Sequence, residues 1–199
     1  LSENLFKGEI LWIQTGGIED PDQPHSVMLS SDEMAFGLHD SIRLINMPPL
    51  KDGAIYSIFF TGSDRAGNIA DTISVENILY DFTLPEIAID YPTSRIITNT
   101  TAISYTLSED FDEAAFTWTW NSGIEDSLAP YIVELNEDEK KKGIYTQITL
   151  ENTPDFVENA IYTISFNGRD RAKNEAMQAI ISGVEYDFTP PELTWIYPL

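Results

Sequence analysis

An internal repeat constrains the fold of this 199-residue chain more strongly than any other feature of its sequence. The motif Asp-Arg-Ala-Gly-Asn at positions 64–68 returns as Asp-Arg-Ala-Lys-Asn at positions 170–174. Tyr-Asp-Phe-Thr at positions 80–83 likewise returns at positions 186–189. Both pairs are 106 positions apart, so the copies align without insertion or deletion. A constant period of this kind predicts an array of one structural unit, present here in two copies.

Alternation of apolar and polar residues in the second copy predicts β-strands. Residues 114–121, for example, place Phe116 and Trp118 on one face, and β-branched or aromatic residues dominate such segments. We predict seven strands, at residues 85–92, 101–108, 114–121, 131–135, 144–150, 160–166 and 177–188. One helical turn is expected at residues 30–37 and another at residues 136–143. Because no long amphipathic helix is predicted, we expect an all-β fold of two antiparallel sheets rather than a parallel sheet.

The repeat also divides the chain into domains. We predict the first unit at residues 1–84, the second at residues 85–190, and the first strand of a following unit at residues 191–199. The first copy has no counterpart of residues 85–106, so it is expected to lack the first two strands and to keep the others, including one at residues 38–44. An open sandwich exposes apolar surface and unpaired backbone groups. We therefore expect either a longer array or a neighbouring chain whose terminal strand fills the gap.

The charge of the chain limits its partners. Acidic residues number 33 against 11 basic residues, which gives a net charge of −22 at pH 7. A field of this sign repels nucleic acids and anionic membrane surfaces and attracts cations, although it also has the simpler effect of keeping a protein soluble. The hydrophobic fraction of 42% predicts folded domains despite this charge. No apolar run is long enough to cross a bilayer, so we expect no membrane insertion in this segment.

The composition argues against an enzyme. There is no cysteine, so a covalent nucleophile would have to be serine or threonine. The only histidines, His25 and His39, are both replaced by tyrosine in the second copy. Acidic pairs at residues 19–20 and 125–126 each follow a turn glycine and isoleucine, and we expect them to be solvated turn residues.

Five motifs of the repeat carry a family resemblance. They are Asp-Phe-Thr-x-Pro-Glu at the start of the unit, Tyr-Thr-Leu-Ser-Glu, Gly-Ile-Glu-Asp, Ala-Ile-Tyr and the Asp-Arg-Ala-Gly-Asn turn. Together they resemble the Ig-like repeats that occur in tandem in large secreted and cell-surface proteins of bacteria. The resemblance implies tandem immunoglobulin-like antiparallel β-sandwiches, of which the first lacks its first two strands. It also implies an extracellular, non-enzymatic structural or adhesive segment that acts as a stalk or spacer, with adjacent repeats or neighbouring copies as partners.

Seven carboxylates near the predicted ends of the sandwiches are candidates for calcium ligands. They are Glu3, Asp64, Asp81, Glu86, Glu109, Asp170 and Asp187. Calcium takes six to eight oxygen ligands, and the resemblance implies that it could bind at a domain junction. A structural interpretation competes with this one, because Asp64 and Asn68 can bond to backbone amides of a tight turn while Gly67 supplies a positive φ. In the second copy, Lys173 replaces that glycine.

The aromatic residues allow a second function. Trp12 and Trp118 share a repeat position on the strand where Ig-like folds bury a tryptophan, so we expect them in the core. Tyr56 and Tyr162 resemble a tyrosine corner. Trp120 has glutamine as its counterpart and is a candidate for stacking on a glycan. The alternatives to a stalk are therefore a module of a secreted protein that binds a glycan or a protein ligand, and an extracellular filament subunit joined by strand exchange.

Overall fold

The computed structural model describes residues 1–195 and contains only strands and loops in that range, which confirms the all-β prediction. The chain divides into two compact units, Leu1–Phe82 and Thr83–Leu199, two residues before the predicted boundary. The strands are β1 (Lys7–Gly17), β2 (His25–Met28), β3 (Ala54–Ser63), β4 (Ile73–Tyr80), β5 (Ile87–Tyr91), β6 (Ile97–Thr98), β7 (Ile103–Leu107), β8 (Glu113–Gly123), β9 (Tyr131–Glu134), β10 (Gly143–Ile148), β11 (Ala160–Arg169) and β12 (Ala179–Tyr186).

The first unit contains one antiparallel sheet with the strand order β2-β1-β3-β4. Strands β1 and β3 form its central pair, with Trp12 opposite Ile58. Side chains alternate between the two faces of a strand, and the inner face buries Trp12 of β1, as predicted, together with Ala54 and Tyr56 of β3. Val27 of β2 completes this small core.

The second unit contains two sheets, with the strand orders β10-β7-β5 and β6-β12-β11-β8-β9. The inner faces of both sheets contribute to one core. Strand β7 supplies Ile103 and Tyr105, while β8 and β11 supply Phe116, Trp118 and Phe166, all of them buried. This arrangement is consistent with a β-sandwich and places Trp118 in the core, as predicted.

All seven strands predicted for the second unit are present, with ends that shift by up to three residues. An additional strand, β6, pairs in parallel with β12 and is the exception to the antiparallel prediction. It was not predicted because a segment of two residues is too short to show a period.

The prediction of a strand at residues 38–44 of the first unit is wrong, because this segment is irregular. Its counterpart β10 is an edge strand that pairs only with β7. The first unit has no strand equivalent to β7, so a strand here would have no ladder to join. Backbone pairing, rather than the local sequence, therefore decides the structure of this segment.

The two expected helical turns are each a single turn. The Met34 N–H donates to the Ser30 carbonyl at 3.1 Å, and no further helix follows. Ser30 and Glu33 exchange hydrogen bonds between side chain and backbone, which is a capping box. Asn136 and Glu139 form the same box in the second unit.

Residues 191–195 are the described part of the strand predicted at residues 191–199, and they contain no strand. The last four residues of that prediction lie outside the described residues. Within residues 1–195, no helix is long and apolar enough to cross a bilayer.

Candidate functional site

A buried cluster of hydrogen bonds, centred on an aspartate and a tyrosine, recurs in both units. Tyr56 of β3 donates to Asp20 at 2.5 Å, and Tyr162 of β11 donates to Asp126 at 2.6 Å. Each tyrosine oxygen also accepts a hydrogen bond from the backbone N–H five residues upstream, at 2.9 and 3.2 Å. We call these arrangements the Asp–Tyr clusters. A bond from the hydroxyl to the backbone a few residues upstream is also a feature of the tyrosine corner, which these two tyrosines resemble.

The third member of the Asp–Tyr cluster differs between the units. In the first unit, His25 Nε2 lies 2.6 Å from Asp20, and the histidine is only 7% exposed. In the second unit, Tyr131 donates to Asp126 at 3.1 Å from the equivalent position. Each aspartate also accepts a backbone N–H two residues downstream, at 3.1 and 3.0 Å. Both clusters therefore surround a carboxylate with at least three partners.

These partners lower the pKa of both aspartates. The hydrogen bond from Tyr56 is the largest influence on the pKa of Asp20 and lowers it, with further bonds from His25 and a backbone N–H acting against the effect of burial. Burial is the largest single influence on Asp126 and raises its pKa, but bonds from Tyr162, a backbone N–H and Tyr131 outweigh it. Both carboxylates are thus ionised at neutral pH and held within the fold.

The sequence-based interpretation of these two aspartates was wrong. We expected solvated turn residues, whereas Asp20 is 4% and Asp126 is 5% exposed. A buried carboxylate is tolerated only with partners, and here the tyrosine hydroxyl is the main one. The available signal was the spacing: an aspartate and a tyrosine 36 positions apart are identical in both copies.

The Asp-Arg-Ala-Gly-Asn turn is closed by its own first and last residues. Asp64 accepts hydrogen bonds from the backbone and the side chain of Asn68, at 2.9 and 2.6 Å. Asp170 accepts the same two bonds from Asn174, at 2.9 and 2.8 Å. The bonds from Asn68 lower the pKa of Asp64. These contacts favour the structural interpretation of the two aspartates.

The turn keeps its backbone conformation without glycine. Gly67 has a φ of 90° and its counterpart Lys173 has a φ of 73°. The left-handed region costs a residue with a Cβ atom about 1–2 kcal/mol, so Lys173 holds a strained conformation. Its ammonium group pairs with Asp112. The positive φ is therefore a requirement of the turn rather than of the residue that fills it.

Two of the candidate calcium ligands meet within the second unit. Carboxylate oxygens of Glu109 and Asp170 lie within 4.8 Å of each other. Their counterparts, Glu3 and Asp64, line the same groove of the first unit. Two carboxylates supply at most four of the six to eight oxygens that calcium takes, so carbonyl groups or water would have to complete a site.

The remaining three candidates lie at the ends of strands. Asp81 follows β4 in the first unit and is half-buried. Glu86 precedes β5 and is exposed, while its backbone N–H donates to Ser108 at 2.8 Å. Asp187 follows β12 and accepts the Thr189 N–H at 3.2 Å. Calcium binding by these residues stays a prediction.

Trp120, the candidate for stacking on a glycan, has a structural role near the end of its own strand. Trp120 is half-buried, and its indole N–H donates to the Ile124 carbonyl at 2.9 Å. The counterpart Gln14 donates its amide to the Ile18 carbonyl at 2.6 Å. Different side chains thus make the same bond in the two units, which accounts for Trp120 without a ligand.

A scan against protein-family models matches no family, and a search of curated proteins finds no match. The repeat, the Asp–Tyr clusters and the turns are therefore the observations from which a function is inferred.

Proposed function

We propose that this chain is a non-enzymatic structural or adhesive segment of a large extracellular protein, in which the units act as a stalk or spacer. The observation that carries the proposal is that both units use equivalent polar side chains for internal bonds. Asp20 and Asp126 hold buried tyrosines, while Asp64 and Asp170 close turns. A ligand-binding site needs polar groups aimed at a ligand, whereas a stalk needs only the integrity of its fold.

We further propose that the units are Ig-like domains in tandem, the first of them incomplete. Three features of the second unit support this assignment. Its core lies between two sheets, its Tyr162 hydroxyl bonds to the backbone upstream, and its Trp118 is buried on β8. Trp118 also donates to the Tyr186 hydroxyl at 3.2 Å, which satisfies its indole N–H.

The proposal includes a location and a set of partners. An Ig-like stalk belongs at the cell surface of a bacterium or outside it, with neighbouring repeats or copies as partners and a protein as a further ligand. The net charge of −22 supports an extended, soluble segment, because like charges repel along an array.

Force spectroscopy on the chain between handles of known length tests the stalk. The strands of the second unit span residues 87–186, and an extended residue adds roughly 3.3–3.6 Å. Because the folded unit already spans a few tens of ångströms of this extended length, its cooperative rupture should release about 300 Å in one step. Gradual extension without a step would contradict a unit that resists force as a whole.

A glycan array tests the main alternative with a matched variant. Trp120→Gln introduces the residue of the first copy, which makes the same bond through Gln14 and removes only the aromatic ring. We expect neither the chain nor the variant to bind glycans. If the chain bound a glycan and the variant did not, the stalk proposal would give way to that of a glycan-binding module.

We also propose calcium as a ligand of the second unit, held by Glu109 and Asp170. Two carboxylates this close repel each other, and a cation relieves that repulsion. With a dissociation constant near 1 mM, which is typical of weak extracellular sites, 10 mM calcium would stabilise the unit by about 1.4 kcal/mol. Thermal melts in calcium and in excess chelator measure this, with Glu109→Gln as the control. An unchanged midpoint would contradict calcium binding at this site and leave the structural interpretation, in which Asp170 closes the turn.

A further inference from the structure

We propose that the inner face of the first unit's sheet is a docking surface for two antiparallel strands of this same repeat type, with the sequence pattern of residues 85–106. We call the inner side of β1, β3 and β4 the open face. It borders a mainly apolar groove of about 490 Å³ whose lining includes Ile10, Trp12, Leu44, Ile58 and Phe60, together with Glu33 and His39. The proposal concerns this face alone and does not depend on the stalk function.

The second unit shows how the same face looks when it is covered. Four side chains of β8, β11 and β12 have no exposed surface: Phe116, Ile164, Phe166 and Val184. Their counterparts 106 positions earlier are half-buried or exposed: Ile10, Ile58, Phe60 and Ile78. Ile78 is 38% exposed where Val184 is 0% exposed. The open face is therefore apolar surface of the kind that the second unit buries.

Strands β5 and β7 provide the cover in the second unit. The ring of Tyr105 packs edge-on against Phe116 and Phe166, with centroids 5.4 Å apart in both pairs. Ile87 and Ile89 of β5 pack against the same core. In the first unit, the sheet has no strands equivalent to these. The occupant that fits the open face position by position is thus a pair of strands like β5 and β7.

The first unit already contains one backbone pair that is equivalent to a pair between β7 and β10. This pair sets the register of the docked strand. In the second unit, Leu107 of β7 is the partner of Gly143 of β10. The equivalent Leu1 nitrogen donates to the Gly37 carbonyl at 2.7 Å, and the Gly37 N–H donates to the Leu1 carbonyl at 3.2 Å. Such reciprocal bonds are those of an antiparallel pair. A strand that extends this pair would run antiparallel along residues 38–42.

The outer edge of β4 supplies a second point of attachment. Strand β6 pairs with Glu185 and Tyr186 at the end of β12. Leu79 and Tyr80 occupy the equivalent positions on β4, and no strand of the described chain pairs with that edge. A segment like residues 85–106 includes a counterpart of β6, so it would close this edge as well.

A graft tests the proposal on the full chain. Residues 85–106 are joined directly ahead of Leu1, which preserves the 106-residue period. We expect the thermal midpoint of the first unit to rise by roughly 10 °C. Amide exchange in β1, β3 and residues 38–42 should slow at least tenfold, and the fluorescence of a dye that binds exposed apolar surface should fall.

The control graft carries Ile103→Ser and Tyr105→Ser in the added segment only. It should give no rise in the midpoint, because the side chains that cover the open face are missing. Equal effects of the two grafts, or no effect of either, would overturn the proposal.

A second measurement covers the case in which the graft does not fold. A synthetic peptide of residues 85–106 is titrated into the unmodified chain while backbone amides are followed by NMR. Saturable shifts confined to β1, β3, β4 and residues 37–42 support the proposal, and the absence of such shifts overturns it. A concentration-dependent dimer of the unmodified chain that protects the same amides would instead assign the open face to a second copy.

Discussion

The two units place similar residues at equivalent inner positions and yet bury them to different extents. Phe166 of the second unit has no exposed surface, whereas its counterpart Phe60 is half-buried. Tyr56 and Tyr162, in contrast, are buried equally, at 1% and 0% exposure. Burial of Phe166 therefore depends on the second sheet, whereas Tyr56 is buried in the unit that has a single sheet.

This difference separates two sources of stability. The Asp–Tyr clusters and the Asp-Arg-Ala-Gly-Asn turns use partners within one sheet and its loops, and they form in both units. The aromatic cluster of Tyr105, Phe116 and Phe166 uses partners from two sheets and forms only in the second unit. Substitutions at matched positions should therefore have unequal effects in the core and equal effects in the clusters.

The largest effect is expected for Phe166→Ala. Truncation of a fully buried phenylalanine removes transfer energy and leaves a cavity, so the free energy of unfolding of the second unit should fall by about 3–5 kcal/mol. The matched variant Phe60→Ala should lower that of the first unit by no more than about 1–2 kcal/mol, because part of its ring already faces solvent. Denaturation followed by hydrogen exchange resolves the two units. Equal losses would show that Phe60 is covered in solution.

The Asp–Tyr clusters should respond equally in both units. Tyr162→Phe and Tyr56→Phe each remove a hydrogen bond to a buried carboxylate and leave a backbone N–H without its acceptor. The expected loss is about 1.5–3 kcal/mol in each unit, measured by the same denaturation experiment. A much smaller loss in the first unit would mean that its cluster also depends on the second sheet.

Acid should weaken both clusters. The folded-state pKa of Asp20 and Asp126 lies below the ordinary value of 3.8, so the folded state binds fewer protons than the unfolded state. The resulting stability is fully present above pH 3.8 and is lost as the pH falls through the lower, folded-state values. We expect a steep fall in both midpoints below about pH 4.

Amide variants assign this acid loss to the clusters. Asp126→Asn should lower the midpoint of the second unit at pH 7 and flatten its acid loss, while the first unit keeps its own. Asp20→Asn should lower the midpoint of the first unit at pH 7 and flatten its acid loss, while the second unit keeps its own. If the midpoints of the variants fell with decreasing pH as steeply as those of the unmodified chain, other carboxylates, such as Asp64, would dominate the titration.

The sequence predicted those parts of the fold that depend on local periodicity. The strands of the second unit and the capped turns follow from spacing and residue type. The burial of Trp12 and Trp118 was expected from their shared repeat position and from the Ig-like resemblance. The burial of Asp126 was not predictable in this way, because the carboxylate is stabilised by Tyr162, 36 positions away. The irregular segment at residues 38–44 was missed for the same reason, since its structure depends on a strand that is not beside it.

The smallest effect is expected at the turn, where the strain of a positive φ is the main contribution. Gly67 has a φ of 90°, and a Cβ atom added there would meet no atom within 4 Å. Gly67→Ala should therefore cost the first unit about 1 kcal/mol through its backbone conformation. Lys173→Gly relieves the same strain in the second unit but removes an exposed ion pair with Asp112, so the net gain should be smaller than the cost of Gly67→Ala. Thermal melts at low and high salt separate the two contributions, because salt screens the ion pair and leaves the strain unchanged. If Gly67→Ala were neutral, the turn would have to tolerate another φ, and the conformation shared by Gly67 and Lys173 would not be a requirement of the repeat.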